Sequence, residues 1–235
     1  MAFPGHWHNA RMPAVRSFAL PLIVAFVAAI AAAATVLLWP APEHASSRDS
    51  NTAVNADRGL VATVLPRPRS LPAVTLTAPD GRRWTTSDLS GNWHFLFFGF
   101  THCPDVCPMT LADLAGTLQR LADNGTRPLP GVVFVSVDPG RDTPERLGDY
   151  VSHFHDDVVG LTGERDAIDT LTSALGISYT LHAPDANGDY AVDHSAAILL
   201  LDPEGRLRAL WQPPHGREVL AEEFRQIQQR HGGET

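Results

Sequence analysis

Between Phe18 and Trp39 the chain runs through 22 residues without a charge, FALPLIVAFVAAIAAAATVLLW. A helix rises about 1.5 Å per residue, so this run reaches roughly 33 Å, enough for a bilayer core of about 30 Å. Having no polar face to offer water, it is read as a transmembrane anchor rather than a core helix, with Trp39 suited to the interface. Arg11 and Arg16 precede it and the first acidic residue is Glu43, so residues 1–39 carry +2. The remaining 16 basic and 26 acidic residues leave the rest of the chain at −10. Positive-inside logic then keeps residues 1–17 in the cytoplasm and exports everything after Trp39. The competing reading is a cleaved signal peptide, for which Ala31–Ala34 offers small residues. Against it, the apolar run continues through Val36-Leu37-Leu38-Trp39, and prolines at 40 and 42 discourage cleavage just beyond. The expected location is a single-pass inner-membrane protein whose working part lies on the periplasmic, exported side.

Beyond the anchor, 44% hydrophobic and 19% charged residues support a packed core. A net charge of −8 argues against nucleic acid as a partner, because such binding rests on basic patches. All 18 basic residues are Arg, which excludes Schiff-base and P-loop lysine chemistry. Two cysteines in 235 residues exclude a disulfide scaffold, a four-cysteine zinc site and an iron–sulfur cluster.

Residues 40–69, rich in Pro, Ala, Ser, Asn and Asp, read as a tether, with a short strand allowed at Leu60–Leu65. From residue 70 to 235 strand and helix signals alternate. Val74–Thr77 and Arg82–Thr85 flank the turn Pro79-Asp80-Gly81. Trp93–Phe100 (WHFLFFGF) and Gly131–Val137 (GVVFVSV) are nearly continuous apolar runs, the pattern of strands buried on both faces. Leu111, Leu114, Leu118 and Leu121 recur at helical spacing, with Thr110 and Asp113 as the expected helix start. Thr143-Pro144 opens a helix towards His155, Val158–Leu161 is a short strand, and Glu164–Leu175 is a helix closed by Gly176. Ser195–Leu201 and Leu207–Trp211 form a hairpin about Asp202-Pro203-Glu204-Gly205, and Arg217–Gln229 is a last helix. The pattern predicts one α/β domain with a mixed sheet flanked by helices.

The only cysteines are four apart, in Cys103-Pro104-Asp105-Val106-Cys107-Pro108, directly after a buried strand and before a helix. Reactive groups gather at the carboxyl ends of strands in open α/β sheets, and a helix amino terminus favours thiolate over thiol. Three readings compete. A structural disulfide is allowed by the oxidising compartment, but so small a loop gains little from closure. A thiol–disulfide exchange pair, with Cys103 and Cys107 catalytic, departs from the usual C-x-x-C by one residue. A soft metal site would use both thiolates as a clamp and needs a further ligand. His194, in Asp193-His194-Ser195 at the mouth of the hairpin, is the best of 11 histidines, with Asp193 as a neighbouring carboxylate to orient or charge-balance the site. His102 is expected to pack or face solvent, and His153 and His155 to lie on a solvated acidic turn. Peroxide reduction by Cys103 is a weaker rival.

Three segments, in order, resemble the Sco/SenC family of membrane-anchored, thioredoxin-like copper proteins that assist cytochrome c oxidase assembly. They are Phe98–Pro108 (FGFTHCPDVCP), Val135–Pro144 (VSVDPGRDTP), and Asp189–Ser195 (DYAVDHS) followed by Asp202–Gly205. The resemblance covers roughly residues 70–211. It implies a thioredoxin-like fold, copper as Cu(I) or Cu(II), and Cys103, Cys107 and His194 as its ligands, with Asp138 in a supporting role. It also implies a copper-accepting oxidase subunit as partner, together with a copper donor and a thiol reductant.

Overall fold

The computed structural model describes residues 60–232. The apolar run Phe18–Trp39 and the first twenty residues of the expected tether lie outside them. No helix among the described residues is long and apolar enough to cross a membrane.

The described chain is built on a six-stranded mixed sheet. In chain order its strands are β1 (Thr63–Ser70), β4 (His94–Gly99), β5 (Gly131–Ser136), β6 (Val158–Leu161), β9 (Ile198–Leu201) and β10 (Arg206–Trp211). They lie in the order β1-β10-β9-β4-β5-β6. β4, β5 and β6 run parallel, while β9 and β10 return antiparallel on the other side of β4. Two small hairpins stand apart from it: β2 (Thr75–Thr77) with β3 (Arg83–Thr85), and β7 (Tyr179–Leu181) with β8 (Val192–His194). The helices are α1 (Val106–Asp123), α2 (Pro144–Ser152), α3 (Arg165–Leu175) and α4 (Arg217–Gly232).

The central position of β4 explains its sequence. Phe95, Leu96, Phe97 and Phe98 are all buried, because β5 and β9 cover both edges and other elements cover both faces. Phe95 packs against Trp211 and Phe224, which join β10 and α4 to the sheet. α1 and α4 lie together, bridged at their surface by Arg120 on Glu218 and Arg217 near Asp113. Beneath them the buried Glu223 carboxylate accepts from the Val61 and Ala62 backbone N–H groups and from the Trp211 indole N–H. One acidic side chain thus pins the entry of the chain to the closing helix.

The structure departs from the sequence expectation in three places. β1 carries the sheet through Thr63–Ser70, so the last seven residues assigned to the tether are an edge strand paired with β10. α1 begins at Val106, four residues before the expected start, and Thr110 is a buried position of its second turn. Pro108 falls within the first turn, where its missing N–H has no intrahelical acceptor to lose. Finally, the strand expected over Ser195–Leu201 begins only at Ile198, and Val192–His194, at the mouth of that hairpin, pairs with β7, a strand that apolar periodicity does not reveal.

Candidate metal centre

Strand β4 ends at Gly99, and the segment Phe100–Asp105 turns over the carboxyl edge of the sheet into α1. Cys103 sits in this turn and Cys107 in the first turn of α1, both buried and both free thiols. The Cys107 backbone N–H points at Cys103 Sγ, at 3.4 Å. His194, half-buried at the end of β8, brings Nε2 to 3.3 Å from Cys107 Sγ. One ligand atom from each of the three residues lies within 4.8 Å of the others.

The imidazole orientation follows from its other nitrogen. Nδ1 lies 3.1 Å from the Ser195 carbonyl oxygen, which can only accept, so Nδ1 carries the proton and Nε2 presents its lone pair. The ring is held edge-to-face by Phe100 and Phe97. Cys103 is held down to a pKa of about 5, chiefly by the hydrogen bond from Cys107, with help from the Asp105 and Cys107 N–H groups. The Cys107 thiol is pushed well above the ordinary range by that same bond and by burial. At neutral pH the metal-free pair is therefore one thiolate and one thiol.

Two sulfurs and one imidazole nitrogen, converging in a largely apolar pocket, fit a soft ion of low coordination number and suit copper better than calcium or magnesium. Loading Cu(I) on both sulfurs must expel the Cys107 proton. Between about pH 7 and 8.5 the Cu(I) affinity is expected to rise about tenfold per pH unit, with about one proton released per ion. Competition titrations across that range check this; a flat profile would mean that both thiols were already ionised.

Gly99 makes the sulfur position available. A Cβ there would stand 2.6 Å from Cys107 Sγ and 2.7 Å from the Phe134 ring. Gly99→Ala is expected to cost about 1–3 kcal/mol of stability, as overpacking does, and to weaken metal binding by displacing the sulfur. Denaturant unfolding and a metal titration of the variant measure the two effects.

Below the cysteine turn, the buried Asp142 carboxylate accepts from the Thr101 N–H, the Thr101 hydroxyl and the Ser136 hydroxyl. It ties the end of β4 to the end of β5 under the site. Asp138, also buried, touches neither cysteine; it accepts from Tyr190 Oη at 2.6 Å and from Arg141 Nε. Asp193 does not take the orienting role expected of it. Adjacent strand residues point to opposite faces, so its side chain is exposed and pairs with His182 at 2.7 Å. The Ser195 carbonyl orients His194 instead. His102 turns away from the site towards Arg146, as its position next to Cys103 suggested. Asp142, Arg141 and Tyr190 were missed as supporting residues, although Asp142 and Arg141 lie in the matched Val135–Pro144 segment and Tyr190 in Asp189–Ser195.

A second trio among the described residues, Asp202, Glu204 and His231, also brings ligand atoms within 4.8 Å. Arg206 donates to both carboxylates there and Arg208 reaches Asp202 at 3.7 Å, so guanidinium groups already meet the negative charge a cation would need.

A parallel βαβ core, an antiparallel hairpin beside it and a cysteine pair where the first helix begins define a thioredoxin-like domain with a two-sulfur, one-nitrogen cluster. The chain belongs to the SCO1/SenC family, whose model matches residues 67–229. It is 38% identical over 151 residues to a Stutzerimonas stutzeri protein provisionally named as copper-binding, covering 64% of this chain and 73% of that one. It is 39% identical over 131 residues to the human mitochondrial SCO1 homolog, covering 56% of this chain and 44% of the human protein. The chain thus spans less than half the length of that relative. Among solved structures, the copper-bound crystal structure of Arabidopsis thaliana ScoI superposes with a TM-score of 0.64 at 34% identity, covering 68% of this chain and 98% of that one.

Proposed function

We propose that this protein carries one copper ion on Cys103, Cys107 and His194 and delivers it to the dinuclear copper site of a cytochrome c oxidase subunit. The observation that carries the reading is the convergence of three donor atoms within 4.8 Å, drawn from segments 87 residues apart in sequence. The family, the copper-bound Arabidopsis relative and the copper-binding name of the Stutzerimonas protein support copper as the cargo. Cu(I) accepts two or three soft ligands, so it can pass to a second protein through shared thiolates without a large rearrangement. In this reading Phe18–Trp39 anchors the chain in the inner membrane and residues 40–62 tether the domain on the exported side. Confinement to the acceptor's membrane raises the effective concentration of the donor. A copper donor and a thiol reductant complete the cycle by reloading the site and keeping both sulfurs reduced.

A second reading, a thiol–disulfide reductase acting on the acceptor's cysteines, is favoured by one observation: two free cysteines side by side, with the Cys107 backbone N–H directed at Cys103 Sγ at 3.4 Å. That is the resting state of an exchange pair, with Cys103 the attacking sulfur. The two readings separate in one experiment. Copper-loaded protein is mixed with a reduced, copper-free acceptor domain, and metal-free protein with the same acceptor oxidised. Transfer of copper in the first arm supports carriage; reduction of the acceptor in the second, without transfer in the first, would replace it with the reductase.

A further inference from the structure

We infer that Tyr190, held between Asp138 and Arg141, is a positioning residue that sets His194 onto the cysteines. This deepens the copper-carrier reading and rests on it for the identity of the ion.

His194 needs such a device because its strand is not hydrogen-bonded into the main sheet. Its strand β8 pairs only with β7, three residues against three, in a sheet of its own. An isolated two-stranded hairpin is marginal in water and takes its position from whatever its side chains grip. Here they grip the segment that follows β5. The Tyr190 hydroxyl donates to buried Asp138 at 2.6 Å. Arg141 donates from Nη1 to the Tyr190 carbonyl at 3.0 Å, and its guanidinium lies 3.7 Å from the centroid of the Tyr190 ring. Arg141 bonds Asp138 as well, so the three side chains close on one another. The same guanidinium stands 5.9 Å from the Phe100 ring, which meets the His194 ring edge-to-face at 5.6 Å.

A second arginine–tyrosine clip holds the other strand. Arg165 donates to the Tyr179 hydroxyl at 3.1 Å and to the Val137 carbonyl at 3.2 Å, and Tyr179 is the residue opposite His194 in register. The burial pattern agrees: Tyr190, Val192 and His194 turn inward while Ala191 and Asp193 are exposed. The clips bear on the one ligand that the segment from β4 into α1 does not supply. Loosening them should leave the two-sulfur clamp intact and free the imidazole, converting a three-donor site into a two-donor one.

The test uses the full-length chain in detergent and the variant Tyr190→Phe, which removes only the hydroxyl. Cu(I) stoichiometry should remain at one ion per chain. Cu(II), which depends on the imidazole, should dissociate about tenfold more readily, with a weakened thiolate charge-transfer band. In the metal-free protein the His194 ring resonances should broaden while the unfolding midpoint moves little. Arg141→Gln, which breaks the ring contact and the carbonyl bond, should shift the same readouts in the same direction and covers the case in which Tyr190→Phe folds poorly. Wild-type Cu(II) affinity together with unchanged His194 resonances in the variants would overturn the inference. If the wild-type chain took up no copper at all, the carrier reading would fall, and the metal-free resonances would still decide whether Tyr190 holds the ring.

Discussion

Cys107→Ser is expected to abolish tight copper binding, lowering Cu(I) affinity by about a thousandfold or more, since one of two sulfur donors is worth several kcal/mol. The hydroxyl is a harder and weaker donor for Cu(I), and its proton leaves far less readily than that of a thiol. The fold should survive. The position is fully buried against Gly99, yet oxygen is smaller than sulfur and meets no clash there. Cys103 should also titrate differently in this variant, because the hydrogen bond that chiefly holds it at about 5 comes from the Cys107 thiol. A competition titration against a chromophoric Cu(I) chelator, with alkylation of Cys103 followed against pH, checks both effects. Affinity within tenfold of wild type would remove Cys107 from the ligand set.

His194→Ala is expected to split the two oxidation states. Cu(I) stays on Cys103 and Cys107, because two thiolates satisfy it, while Cu(II) binding and its thiolate charge-transfer absorption disappear. The variant also vacates space beside Phe97 and Phe100, so a modest loss of stability accompanies the change. Stability and metal effects are separable, since the first appears in metal-free unfolding and the second only on titration. A Cu(II)–thiolate band of wild-type intensity in His194→Ala would sink the assignment.

The fold was legible where burial writes itself into composition. WHFLFFGF and GVVFVSV are apolar without alternation because both faces of β4 and β5 are covered, and that also located the edge of the sheet where the cysteines sit. α1 starts four residues before Thr110, because Pro108 lies in its first turn, where a missing N–H costs a helix nothing. The β7–β8 hairpin was hidden for a different reason. Its strands are three residues long, and Tyr190, just before β8, bonds Asp138 from 52 residues away in sequence. No local periodicity records such a contact.

At the site, the structure brings together Cys103, Cys107 and His194, the three residues that the motifs single out, but their surroundings are less legible in the sequence. Asp193 was preferred for adjacency in sequence, which in a strand means the opposite face. Asp142 shows the converse. Nothing in Arg141-Asp142-Thr143 distinguishes a buried carboxylate with three donors from a surface one, because burial of a charge is decided by partners that only the fold assembles. Asp138 stands out through its motif, and in the fold its carboxylate accepts from Tyr190 and Arg141.

The central claim is that Cys103, Cys107 and His194 form one copper site. X-ray absorption at the copper edge of the loaded full-length protein tests it most directly. The account predicts an inner shell of two sulfurs and one imidazole nitrogen in the wild-type Cu(II) form, and two sulfurs without that nitrogen in Cu(I)-loaded His194→Ala. A shell holding fewer than two sulfurs, or one unchanged by His194→Ala, would contradict it.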